Sequence, residues 1–130
     1  MNTLRGTIIS IKHEDSLMLV FIDIKGQIFS SLILANDNDK WIEVGSNVDV
    51  LFKETEVMIA TKESLVSARN SFVSTIKDIE NGKLLSSVTF DFNGSEINAI
   101  VTIDAINDLK CNIGNDFRWF VKTNEVIIKI

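Results

Sequence analysis

Two kinds of polar stretch in this chain carry the side chains needed to hold an anion. One is Ser67-Ala68-Arg69-Asn70, almost at the midpoint of the 130 residues. The other is a turn that occurs twice, as Lys53-Glu54-Thr55 and as Lys122-Thr123-Asn124. A tetrahedral oxyanion needs N–H or O–H donors converging on its oxygens and a cation or two to offset its charge. Turns at strand ends offer free backbone N–H groups beside these hydroxyls, the guanidinium and the ammonium groups. Residue type alone favours merely solvated surface side chains at Arg69 and Lys122, so the anion reading depends on what positions them.

Other chemistries are poorly equipped. One histidine, His13, and one cysteine, Cys111, exclude an internal disulfide framework and the usual Cys/His zinc cage. There is no GxSxG, P-loop or HExxH pattern. Asp37, Asp39, Glu54, Glu56, Asp104 and Asp108 fall in turns or at strand ends, where solubility accounts for them. We expect no enzyme, no organic cofactor and no resident metal. A net charge of −5 argues against a phosphate-tracking surface, and the eight Phe sit in strand patterns that read as core, so no nucleic-acid partner is expected. A local anion site survives this acidity, because salt limits the reach of distant carboxylates to about 10 Å. In "MNTLRGTIISIKHED" charge interrupts the apolar run before a signal or spanning length is reached, giving a cytoplasmic expectation with no membrane partner.

The elements that must position the polar residues occur twice. A slide of 68 residues pairs Asn2 with Asn70, Thr7 with Thr75, Ile11 with Ile79, Leu17 with Leu85, Val20 with Val88, Asp23 with Asp91 and Gly26 with Gly94. After one extra residue, a slide of 69 pairs Gly45 with Gly114, Lys53 with Lys122, Glu56 with Glu125 and Val57 with Val126. The collinear order marks a duplication, with residues 1–62 as a first domain and 63–130 as a second.

Each copy reads mostly as strand. "TLRGTIISI" and "SFVSTIKDI" are β-branched and roughly alternating, and "SLMLVFIDI" and "LLSSVTFDF" break at Lys25-Gly26 and Asn93-Gly94, which are hairpin signals. "QIFSSLIL" and "EINAIVTI" return. "NDNDKWIEVG" and "DAINDLKCNIG" each suit one or two helical turns, with an Asn or Asp start and a Gly stop. "NVDVLFK" with "EVMIA", and "DFRWFVK" with "EVIIKI", then close each unit. The fold class is all-β: two tandem five-stranded OB-like β-barrels, each with a short helical turn. The link, about residues 61 to 69, has no Gly or Pro and carries Leu65 and Val66, so it reads as packed.

The duplication is also an internal control. Cys111 matches Ile42, the pattern of a small buried hydrophobe, and Trp119 matches Val50, a core or interface position. His13 matches Asn81 in a turn between the first two strands of its unit. Trp41 matches Lys110 and reads as half exposed.

"SARN" opening a strand, a hairpin Gly, "AIVT" on the third strand, a Gly after the helical turn and "K-T-x-E-V-I-I" near the end resemble the Mop, or TOBE, domain of molybdate-binding proteins. The resemblance covers the second unit from Ser67 and, more faintly, the first from Asn2. Two tandem copies are similar to a di-Mop molbindin. The resemblance implies a cytoplasmic homo-oligomer holding molybdate or tungstate, as an oxyanion and not a bare metal, at domain or subunit interfaces, for storage, homeostasis or sensing. Carried over by position, Ser67, Ala68 and Arg69 supply donors and the cation, Lys122 and Thr123 the facing side, and Ala99 and Thr102 further N–H or hydroxyl donors. Lys53 is a candidate to partner Arg69 across an interface.

The first unit departs from this pattern. Met1 stands where Arg69 stands, and Glu54 where Thr123 stands. A carboxylate aimed at a dianion opposes its binding, so Glu54 points away or the site is lost, and fewer sites are expected than in a symmetrical protein. The alternative reading is a TOBE-like assembly or regulatory interaction module with weak or no anion binding.

Overall fold

The computed structural model describes residues 1–36 and 39–130. The first repeat supplies β1 (Asn2–Glu14), β2 (Leu17–Ile24), β3 (Gln27–Leu34), β4 (Asn47–Phe52) and β5 (Met58–Thr61). The second supplies β6 (Asn70–Asn81), β7 (Leu85–Phe92), β8 (Ser95–Thr102), helix α1 (Ile103–Leu109), β9 (Asp116–Val121) and β10 (Ile127–Lys129). All ladders are antiparallel. The β2–β3 and β7–β8 hairpins turn at Lys25-Gly26 and Asn93-Gly94 with positive φ at all four residues, as a type I′ turn requires.

The duplication produces an exchange that the sequence reading did not foresee. Fifth strands were expected to close their own units. Instead one sheet runs β10-β4-β1-β2-β3 and the other β5-β9-β6-β7-β8, so each repeat lends its last strand to the other. Ile128 pairs with Val50, and Ile59 with Trp119. The cause is local. After β4 and β9 the chain enters a 3₁₀ turn, Glu54–Glu56 or Thr123–Glu125, and leaves through a buried valine, Val57 or Val126. That step carries the strand across to the free edge of the neighbouring sheet.

Other expectations meet mixed outcomes. The second helical turn is α1, started by the Thr102 hydroxyl, which accepts from the Ala105 N–H at 3.1 Å, and ended by Lys110 in the left-handed region. Part of the first one, with Asp37, lies outside the described residues, although the Ile42 N–H bonds the Asp39 carbonyl at 3.0 Å. His13 lies in β1 rather than in a turn, because Glu14 pairs directly with Leu17 and leaves only Asp15 and Ser16 to reverse the chain. The link is held by polar bonds more than by apolar packing. Leu65 is fully exposed, while Arg118 donates to the Lys62 carbonyl at 2.8 Å and to the Ser71 hydroxyl at 2.9 Å.

One core serves both repeats. Phe29, Phe52, Phe72, Phe92 and Trp119 form a contiguous aromatic cluster, and Phe29 stacks on Phe72 at 4.7 Å. Cys111 is buried, and burial pushes its thiol pKa up, which fits its match to the buried Ile42. Trp119 is fully buried and Trp41 half-buried.

Candidate functional site

β6 and β9 form one antiparallel ladder whose end pair is Asn70 and Val121. Arg69 immediately precedes the first and Lys122 immediately follows the second, so the register sets these cations opposite each other where the ladder ends. Ser67 and Ala68 lead into it from the link, and Thr123 opens the 3₁₀ turn on the other side. Five of the eight residues named from sequence are thus brought together by a single ladder end. Arg69 and Lys122 are exposed, and neither makes a side-chain hydrogen bond or ion pair among the described residues.

The other three belong to the symmetry-related place. Asn2 pairs with Phe52 at the end of the β1–β4 ladder, so Lys53 stands opposite Met1. The turn that follows Lys53 packs against β8, the strand of Ala99 and Thr102. Here the positive charge is already answered: the Met1 ammonium lies 2.6 Å from a Glu54 carboxylate oxygen. That hydrogen bond, with a second from Glu54's own backbone, holds the Glu54 carboxyl below its ordinary value of 4.5. Glu54 is therefore turned to the residue that replaces Arg69.

Two asparagines weld the repeats together. The Asn70 side chain accepts from the Ser30 N–H at 2.7 Å and donates to the Ser30 carbonyl at 2.9 Å. The Asn2 side chain makes the same pair with Asn98, both bonds 2.8 Å long. Ser30 and Asn98 are themselves related by the slide of 68, so the clamps are pseudo-symmetric. β3 and β8 are sheet edges, and each carboxamide acts as one residue of an added strand, satisfying backbone groups that would otherwise be orphaned. Because the N–H and carbonyl of Asn98 both face Asn2, strand alternation turns those of Ala99 into the β7 ladder. Ala99 is fully buried and has no free N–H here, and the Thr102 hydroxyl serves as the α1 cap.

One feature breaks the symmetry. The Ser31 hydroxyl, fully buried, donates to the Val126 carbonyl at 2.6 Å, just past the Lys122–Glu125 turn. Its counterpart by the slide is Ala99, which has no hydroxyl to offer Val57. The sequence reading missed these clamps, yet a signal existed. Asn2 and Asn70 pair in the repeat, and polar Ser30 and Ser31 sit between apolar residues in a strand.

Exposed apolar residues repeat as well. Leu17 and Leu85, Val44 and Ile113, and Met58 and Ile127 are pairwise equivalent, and all six are between 43% and 62% exposed. No helix among the described residues is long and apolar enough to cross a membrane, and no group of three or more His, Cys, Asp or Glu among them is placed to hold a metal ion.

No protein-family model matches the chain. The molybdenum transport protein ModE of Azotobacter vinelandii is 27% identical over 111 residues, which is 84% of this chain and 41% of that protein. The ModE of Herbaspirillum seropedicae is 27% identical over 134 residues, 99% of this chain and 50% of that one. The chain thus spans half or less of the length of the curated relatives it matches. Among solved structures, the cytoplasmic molybdate-binding protein ModG with molybdate bound superposes with a TM-score of 0.92 at 25% identity, over 99% of this chain and 95% of that one.

Proposed function

We propose that this chain is a member of the Mop, or molbindin, family and a molybdate-binding protein of the cytoplasm that stores, buffers or senses the oxyanion. The observation that carries the reading is the end-to-end superposition on ModG with molybdate bound. Its local support is the pair of uncommitted cations, Arg69 and Lys122, at one ladder end beside the hydroxyls of Ser67 and Thr123. Molybdate and tungstate share charge and shape, and both are taken as ligands of the same donors. The role is binding rather than catalysis, and residues 1–62 and 63–130 are the two duplicated units.

The site is open on one face in the single chain, and the repeated apolar positions, Leu17 with Leu85, Val44 with Ile113 and Met58 with Ile127, lie exposed in both units. Duplicated surface of this kind suits contacts between copies of the chain. We place the oxyanion at such an interface, where a second copy covers Arg69, and Lys53 is the cation a neighbouring copy could bring. The first repeat's own position is the weaker one, since Glu54 already neutralises the Met1 ammonium.

Isothermal titration of the purified protein with molybdate, tungstate and sulfate tests this. Saturable heat with molybdate or tungstate, abolished by Arg69→Ala, is expected. The exposure of Arg69 also favours a second reading, a TOBE-like assembly or regulatory module with weak or no anion binding. No heat from either oxyanion, with the assembly intact by light scattering, would select that reading.

A further inference from the structure

Resting on that reading of the site, we infer that Ser31, in the first repeat, is a positioning residue for the oxyanion held by the second. Two consecutive β3 residues grip the two walls of the site. The backbone of Ser30 holds the Asn70 side chain, which fixes the residue next to Arg69. The hydroxyl of Ser31 holds the Val126 carbonyl, which fixes the far end of the turn that begins at Lys122. β3 thereby acts as a gauge block: the separation of the Arg69 segment from the Lys122–Glu125 turn is set by adjacent residues on a third strand. Neither wall depends on the exposed link for its place.

Such prior placement matters for a small dianion. Donors already convergent give up little freedom on binding, whereas a turn free to drift must be ordered by the ligand. The internal duplicate points the same way. At the equivalent place Ala99 leaves the Val57 carbonyl without a hydroxyl, and that is the half in which the cation is matched by a carboxylate. Among the described residues, the half with the extra bond is the half whose ladder end has two free cations, Arg69 and Lys122, where the other keeps only Lys53 free.

Ser31→Ala removes the bond with little change in volume. Molybdate affinity is expected to fall about three- to tenfold, the worth of one ordinary hydrogen bond. Ser31→Cys, similar in shape and a weaker donor, should fall between. Ser74→Ala is the control. Its hydroxyl accepts from the buried Trp119 indole at 3.0 Å, so its loss weakens the fold without touching either wall. It should lower stability in urea and leave affinity unchanged. Amide hydrogen exchange of the anion-free protein should be faster at Glu125 and Val126 in Ser31→Ala and not in Ser74→Ala. Unchanged affinity in Ser31→Ala, or an equal loss in Ser74→Ala, overturns the inference. If the wild-type protein takes up no anion, the functional reading fails by itself, and unchanged exchange in Ser31→Ala overturns the positioning claim separately.

Discussion

Phe29 of the first repeat and Phe72 of the second lie stacked, their ring centroids 4.7 Å apart, inside a cluster that also holds Phe52, Phe92 and Trp119. The repeats share this core, so they are expected to unfold together. Phe29 is fully buried, and Phe29→Ala should cost about 3–5 kcal/mol through lost burial and the cavity left behind. Urea unfolding followed by both tryptophan fluorescence and far-UV circular dichroism should give coincident single transitions. Two separated transitions would show that the repeats are energetically independent.

The Asn70 clamp predicts an unusual response to acid. Asn70→Ala strips both partners from the buried backbone of Ser30 and should cost about 1–3 kcal/mol. Asn70→Asp keeps the acceptor but sets an ionised oxygen against the Ser30 carbonyl in a buried place. Burial raises the folded-state pKa of a carboxyl introduced there, so this variant should be least stable near neutral pH and recover as the acid protonates and can again donate. Chemical unfolding at pH 7 and pH 5 checks the sign. Equal loss at both values would count against the assigned geometry.

Glu54 makes the opposite prediction. Its carboxyl is held below the ordinary 4.5, first by the Met1 ammonium hydrogen bond and then by its own backbone. A depressed folded value contributes stability above the unfolded value and loses it as pH falls through the folded one, so the window opens just below pH 4.5 and extends downward. Glu54→Gln should flatten the stability profile in that window and lower stability slightly at pH 7. Salt should shrink the difference, since the pair is partly exposed. The measurement is urea unfolding between pH 3 and 7 at low and high salt.

Cys111 should behave as core. Its burial and raised pKa predict slow reaction with a thiol reagent in the native protein at pH 8 and fast reaction in denaturant. Native reactivity like that of a free thiol would place it at the surface.

Much of this was readable in the residues, for reasons that are physical. Alternation of apolar side chains marked the strands, and Lys25-Gly26 and Asn93-Gly94 marked the hairpins, because a two-residue reversal admits few backbone conformations. Adjacency of Ser67–Arg69 to Lys122 and Thr123 followed from the fold that the "SARN" and "K-T-x-E-V-I-I" stretches imply. Strand exchange was not readable. Ile128 can satisfy the same pattern beside Val50 or beside Trp119, since β4 and β9 are equivalent strands with the same alternation of buried and more exposed residues, each with one edge left for a fifth strand. Duplication makes the right partner and the wrong one look alike. The clamps escaped for a related reason: a carboxamide that replaces a strand residue leaves no periodicity, and only its recurrence at Asn2 and Asn70 betrays it.

The exchange has a kinetic side. β1, β2 and β3 are joined by short turns and can pair as soon as they collapse, as can β6, β7 and β8. β4 waits for β10, whose residues lie more than half the chain away, and loop closure over that distance carries an entropic toll before any contact compensates it. Folding should therefore pass through two early meanders whose unpaired margins await each other, and a second molecule nearby offers the same margins. At high concentration the slow step is open to the wrong partner, so refolding yield should fall as protein concentration rises.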